Sequence, residues 1–136
     1  MAMTATARLR DGLAHEVDVN GRHVIVTDEP LSLGGGDAGP APHELLPATL
    51  ASCISTMIAM YAARQGWPMS ELAVEVDYDN DALPRRFDVR VLLPDGLSGE
   101  QLARLRRVAE QCPVRRALEA GFDFEEELLS PVAPAA

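Results

Sequence analysis

A long run without a single charged side chain, residues 45–63, constrains this sequence more than any other feature. A run of this length is a candidate transmembrane helix. Pro47, Ser52 and Thr56 make it only moderately apolar, and no second segment or cationic flank supports a membrane span. A helix that is apolar on all sides is otherwise a buried central helix. A chain this small has difficulty covering every side of it, so we expect a second copy to pack there, in an obligate homodimer without membrane contact.

The residues before this helix have the pattern of three antiparallel strands. A strand over residues 4–10 precedes two more over residues 15–20 and 22–27. Asn20-Gly21 predicts a two-residue type I′ turn between them, because both central positions of that turn need positive φ. This register places Val17 opposite Val24 on one face, which they share with Val19 and Val26.

A loop rich in glycine and proline, residues 33–42, separates the meander from the helix. Gly66 is a natural cap at the other end of the helix. Apolar residues then alternate over residues 71–79, which predicts a half-buried strand, and residues 87–93 form the returning strand. Residues 122–129 are predicted to form a last strand.

Two further helices are predicted from their start signals. Ser98 and Gln101 match a capping box at the start of the first. Pro113 cannot continue that helix but can begin another, which places Cys112 at its N-cap. The order of strands, long helix, strands and helices predicts an α+β fold with antiparallel strands and a long buried central helix.

Length and charge limit the classes of protein to which the chain can belong. Its 136 residues predict one domain over residues 1–130, followed by a Pro/Ala tail at residues 131–136. The net charge of -9 disfavours nucleic acid and anionic membranes as partners. Residues 1–12 lack the apolar core of a secretory signal, so we expect a cytoplasmic protein.

Cys53 and Cys112 are the only cysteines, too few for a disulfide scaffold. Three interpretations are open: inert buried thiols, a redox pair, or a zinc site. The zinc site would also need histidines, of which the chain has His15, His23 and His43, but no pair has the short spacing typical of zinc ligands.

The two thiols have different local settings. Cys112, as an N-cap, faces unpaired backbone amides that stabilise a thiolate and lower its pKa. Cys53 lies in an apolar helix interior, which raises a thiol pKa. Glu44 precedes the same helix, where a carboxylate complements the helix dipole; any functional role would need a partner.

Three segments together resemble the OsmC/Ohr family, the osmotically inducible protein C and organic hydroperoxide resistance proteins. They are residues 34–46 (GGGDAGPAPHELL), 50–53 (LASC) and 111–114 (QCPV). The triple glycine and Cys-Pro-Val resemble a general OsmC-like branch more than Ohr proper. The resemblance implies an OsmC-like fold in an intertwined homodimer.

The resemblance also implies a thiol-dependent peroxidase and the roles of its residues. By match, Cys53 attacks the hydroperoxide and Cys112 resolves the sulfenate to a disulfide. Glu44 matches the family glutamate. The family arginine matches Arg10 in an Arg-Asp-Gly string, as in the Ohr branch, with Arg22 as the alternative.

No cofactor or metal is implied, and an external dithiol would reduce the disulfide; dihydrolipoyl groups serve relatives in this role. The expected substrates are organic hydroperoxides, which an apolar surround favours over hydrogen peroxide, with inorganic hydroperoxides as a second class. The alternative function is a redox sensor or an apolar ligand-binding protein of the same fold, without rapid turnover.

Helix geometry adds an expectation about assembly. Glu44 and Cys53 are nine residues apart, about 13.5 Å along a helix and half a turn around it. They should not meet within one straight helix. We therefore expect each site to take Cys53 from one chain and Glu44 and the arginine at least partly from the other.

Overall fold

The computed structural model describes residues 2–131 and confirms the α+β class. Antiparallel strands lie on both sides of a long helix in the chain order. The elements are β1 (Ala5–Leu9), β2 (His15–Val19), β3 (His23–Thr27), α1 (Leu45–Gln65), β4 (Ala73–Asp79), β5 (Arg86–Leu92), α2 (Gly99–Glu110) and α3 (Pro113–Ala120).

The three-stranded meander is confirmed, with order β1-β2-β3 and both pairs antiparallel. The predicted register of its second hairpin is wrong by one residue. Val17 lies opposite Ile25, and Val19 lies opposite His23. A slip of one residue moves a side chain to the other face of a sheet. Val24 therefore lies on the face opposite to Val17.

The reason for this shift is an extra residue after the turn. Asn20 and Gly21 both have positive φ, 55° and 69°, as the sequence predicts. The Arg22 N–H donates to the Val19 carbonyl at 3.1 Å, which closes the turn. Pairing resumes only at His23, so Arg22 is left without a cross-strand partner and acts as a bulge.

Helix α1 is buried along one face only. Leu50, Ile54, Ile58 and Ala62, spaced by four residues, are each no more than 2% exposed. On another side Met60 is 48% exposed. By length and composition, residues 42–65 could cross a membrane, and 22% of the tested window is buried inside the chain. Much of the apolar helix surface is therefore left uncovered by the described part of this chain.

The buried face of α1 packs against β4, α2 and α3. Leu105 of α2 and Cys112 join it to form the core cluster. The predicted capping box holds α2 in place: the Gln101 N–H donates to Ser98 Oγ at 3.1 Å, and the Ser98 N–H donates to Gln101 Oε1 at 2.7 Å. Gly66 adopts a left-handed conformation at φ 74° and ends α1, also as predicted.

The strand predicted over residues 122–129 is wrong for the isolated chain. These residues form no helix or strand, and Phe122 and Phe124 are 61% and 82% exposed. A segment forms a strand only where the edge of a sheet takes up its backbone hydrogen bonds, and this segment pairs with no strand of the described chain. Of the predicted Pro/Ala tail, residues 132–136 lie outside the described residues.

The glycine-rich loop is organised by a buried carboxylate. Asp28 is 2% exposed and accepts backbone N–H donors from Glu29, Gly36 and Ala38 at 2.8, 3.2 and 3.1 Å. These hydrogen bonds lower the pKa of Asp28. A Cβ at Gly35 would lie 1.9 Å from a backbone carbonyl oxygen, so this position requires glycine. The loop leads into a 3₁₀ turn, Pro42–Glu44, which starts α1.

Candidate functional site

The fold brings the two cysteines together although they are far apart in the sequence. Cys53 lies on α1 beside its buried stripe, and Cys112 precedes the first residue of α3. Cys53 packs against the core cluster that contains Cys112, and both are free thiols. Cys112 is completely buried, whereas Cys53 is partly exposed. Cys53 is therefore the thiol that a molecule from solvent can reach.

The environment of Cys53 favours its neutral form. Burial raises the pKa of the Cys53 thiol, and the adjacent Cys112 raises it further. The backbone N–H of Val114 opposes these effects because it stabilises the thiolate, but the net pKa is raised. A nearby cation is therefore needed for Cys53 to act as a nucleophile at neutral pH.

A backbone N–H group at the start of α3 acts on Cys53, whereas the sequence predicts that such groups act on Cys112. The sequence predicts that Cys112, as the N-cap, faces the unpaired backbone N–H groups of α3. Its side chain, however, makes no capping hydrogen bond. The backbone N–H of Val114 instead lies close enough to Cys53 to lower the pKa of its thiol. The sequence does not single out Val114, because a backbone N–H carries no residue-type signal and its neighbour is set by how α3 docks on α1.

Glu44 has the local role that its position permits. Its Oε1 accepts the Ala41 N–H at 2.9 Å, which closes the turn before α1. It lies near His43 and Tyr78 in a shallow cleft between this turn and the end of β4. Among the described residues, no ion pair or hydrogen bond joins it to Cys53 or to an arginine.

Arg10 follows β1 in the N-terminal meander. Its guanidinium donates to Glu16 at 2.9 Å, and both side chains are about half exposed, at 53% and 49%. The alternative, Arg22, occupies the hairpin turn. Within residues 2–131 the meander makes no extensive contact with α1. One chain therefore brings together Cys53 and Cys112 but brings neither Arg10 nor Glu44 into contact with them.

The described residues contain no cluster of three or more His, Cys, Asp and Glu side chains placed to hold a metal ion. His15 and His23 lie on the meander strands and His43 beside the start of α1. The arrangement of Cys53 and Cys112 permits thiol chemistry. A sulfenic acid formed on Cys53 would have the Cys112 thiol beside it, which is the geometry for condensation to a disulfide.

Comparison with known proteins identifies relatives of this fold and sequence. The profile of the OsmC-like protein family matches residues 34–127. This span contains Glu44, both cysteines and Val114, whereas Arg10 precedes it. No protein of curated function matches the sequence.

Solved structures with the same fold come from several bacteria. An OsmC-like protein from Mycoplasma pneumoniae has a TM-score of 0.71 at 16% identity, covering 88% of each chain. A provisionally named osmotic stress induced and detoxification response protein from Psychrobacter arcticus has a TM-score of 0.70 at 24% identity, covering 83% of this chain and 85% of its own. The organic hydroperoxide resistance protein OhrB of Bacillus subtilis has a TM-score of 0.52 at 24% identity, covering 85% and 89%.

Proposed function

Because this chain belongs to the OsmC-like family, we propose that it is a thiol-dependent peroxidase that reduces organic hydroperoxides. Organic hydroperoxide resistance is the named role of several structural relatives. The observation that carries the proposal is the contact between a partly exposed Cys53 and a buried Cys112. Cysteines that serve only in packing are usually buried. Cys53 is instead partly exposed, and it lies beside the only other cysteine of the sequence.

The proposed reaction has two steps on the protein. The Cys53 thiolate attacks the terminal oxygen of the hydroperoxide, the O–O bond breaks, and the alkoxide leaves as an alcohol after taking a proton. Cys53 is then a sulfenic acid. The Cys112 sulfur attacks the Cys53 sulfur, water leaves, and a disulfide forms. An external dithiol reduces this disulfide and returns both thiols.

The Val114 N–H supports the first step because it stabilises negative charge on Cys53. It does not suffice, since the pKa of Cys53 is still raised in the single chain. An arginine beside the sulfur would supply a cation that does not deprotonate. We assign this role to Arg10, with Glu44 holding its guanidinium.

Because Arg10 and Glu44 do not contact Cys53 within one chain, the proposal includes a homodimer whose sites are shared. The uncovered faces of α1 and of the segment after α3 support it, since both expose apolar side chains that a second copy could cover. Residues 1–130 would act as one domain of a cytoplasmic enzyme.

Intact mass measurement tests the chemistry. Reduced protein treated with cumene hydroperoxide should lose about 2 Da as the disulfide forms. The matched variant Cys112→Ser should instead gain about 16 Da as a trapped sulfenic acid, and Cys53→Ser should do neither. Wild-type protein that shows no disulfide and no sulfenic adduct would contradict the peroxidase proposal.

Two further measurements separate the alternatives. A redox sensor or ligand-binding protein of this fold would form the disulfide without multiple turnover, so steady-state consumption of hydroperoxide with a dithiol distinguishes it from an enzyme. Mixed Cys53→Ser and Glu44→Ala subunits test the shared site. Heterodimers should recover part of the activity that each homodimer lacks, and mixtures without recovery would place each site in one chain.

A further inference from the structure

A groove between α1 and α2 lies next to the cysteine pair, but neither cysteine lines it. It encloses about 460 Å³, a volume within the range of small-molecule sites. Met57, one helical turn beyond Cys53, lines one end, and Gln111, the neighbour of Cys112, lines the groove as well. The groove therefore reaches the immediate surroundings of both thiols.

The walls of the groove combine an apolar surface with concentrated positive charge. Met57, Met60 and Tyr61 supply apolar and aromatic surface from α1. Arg64, Arg104 and Arg107 also line it, and its lining contains no acidic residue. Three arginines around one groove are unexpected in a chain with a net charge of -9, whose acidic residues outnumber its basic ones by 21 to 12.

Two of these arginines have no carboxylate partner within the described residues. Arg104 donates to Glu100 at 3.2 Å, and the nearby Tyr61 hydroxyl contributes most to its raised pKa. Arg64 and Arg107 have no acidic oxygen within salt-bridge distance in residues 2–131. Their guanidinium groups can therefore accept an anion from solvent without breaking an existing ion pair.

The groove lies on the same side of α1 as Cys53, because Met57 follows Cys53 by one helical turn and lines one end of the groove. Both walls of the groove come from the same chain, since it is lined by α1, α2 and Gln111, which follows α2.

We propose that this groove binds a carboxylate amphiphile, with Arg64 and Arg107 holding the carboxylate and the Met57, Met60 and Tyr61 surface holding the apolar chain. A guanidinium matches a carboxylate in a two-point hydrogen bond. A small amphiphile suits the site better than an acidic protein segment, because the charge surrounds an apolar depression. If the proposed peroxidase function is correct, a bound amphiphile would lie beside the approach to Cys53.

Titration calorimetry with dodecanoate, dodecanol and dodecyltrimethylammonium, each below its micelle concentration, tests this site without any peroxide. Dodecanoate should bind the wild-type protein at least about tenfold more tightly than dodecanol, since a charge-assisted pair is gained. Dodecyltrimethylammonium should bind more weakly than both. Dodecanoate should also change the fluorescence of Trp67, the only tryptophan, because its ring lies 5.7 Å from that of Tyr61.

A double variant, Arg64→Gln with Arg107→Gln, should lose about tenfold or more in dodecanoate affinity and keep its dodecanol affinity. The matched control Arg86→Gln removes a charge from an exposed arginine on β5 that pairs with Asp88, and should bind dodecanoate like the wild type. Equal affinity for dodecanoate and dodecanol, or an unchanged double variant, would overturn the proposal. So would binding of polyglutamate in place of dodecanoate. Because no outcome depends on turnover, the result is independent of the proposed function.

Discussion

Replacement of Ile58 by Ala should measure how much of the stability comes from the buried stripe of α1. Ile58 is 1% exposed and packs in the core cluster with Leu105. The change removes three carbon groups, each worth about 0.8 kcal/mol on burial, or about 2.4 kcal/mol together. The cavity left behind raises the expected loss in the free energy of unfolding to about 3–4 kcal/mol. For a chain of this size this corresponds to a fall in Tm of about 10–15 °C.

Urea unfolding followed by far-ultraviolet circular dichroism checks this value, with both cysteines kept reduced. Protein concentration must be held constant, because association with a second copy would add to the apparent stability. Met60→Ala on the same helix is the matched control. Met60 is 48% exposed, so this change should cost less than about 1 kcal/mol. Equal losses for the two variants would refute the assignment of the buried face.

Three further predictions concern the loop and the thiols. Gly35→Ala should destabilise the protein more than Gly99→Ala in the same urea assay, because a Cβ meets a carbonyl oxygen at the first position and nothing within 4 Å at the second; equal costs would contradict the tight loop. The lowered pKa of Asp28 means that its carboxylate stabilises the fold above the unfolded pKa of about 3.9, and that this contribution is lost as the pH falls through the folded value. Stability curves of Asp28→Asn should lack this acid-dependent part, and a curve parallel to that of the wild type would argue against it. Iodoacetamide should modify Cys53 in the native protein and Cys112 only after unfolding, as peptide mass mapping would detect; early modification of Cys112 would contradict its burial.

Much of the local structure follows from the sequence because its causes act over a few residues. The capping box of Ser98 and Gln101 forms as predicted, and Gly66 ends α1 in a left-handed conformation. The alternation of β4 is also observed, with Val74, Val76 and Tyr78 on its less exposed face. Each of these features depends on hydrogen bonds or side-chain periodicity within one segment.

The errors lie where pairing between segments decides the outcome. The turn at Asn20-Gly21 forms as predicted, yet one unpaired residue, Arg22, changes which side chains share a face. Residues 122–129 contain apolar side chains at both ends, but they pair with no strand of the described chain. A periodic pattern states which face a strand would bury, but it does not supply the strand that must lie beside it.

The sequence alone determined the α+β class, the positions of the helices, and the candidate cysteines and glutamate, because these follow from periodicity, end signals and family motifs. Only the tertiary structure decided that Cys53 packs against the cluster that contains Cys112, that the Val114 N–H lies near Cys53, and that three arginines of α1 and α2 line one groove. The physical reason is that contacts between distant segments arise when α2 and α3 dock on the buried stripe of α1. Hydrophobic burial drives that docking without direction, so the thiol environment and the groove are set by side-chain packing that no local pattern encodes.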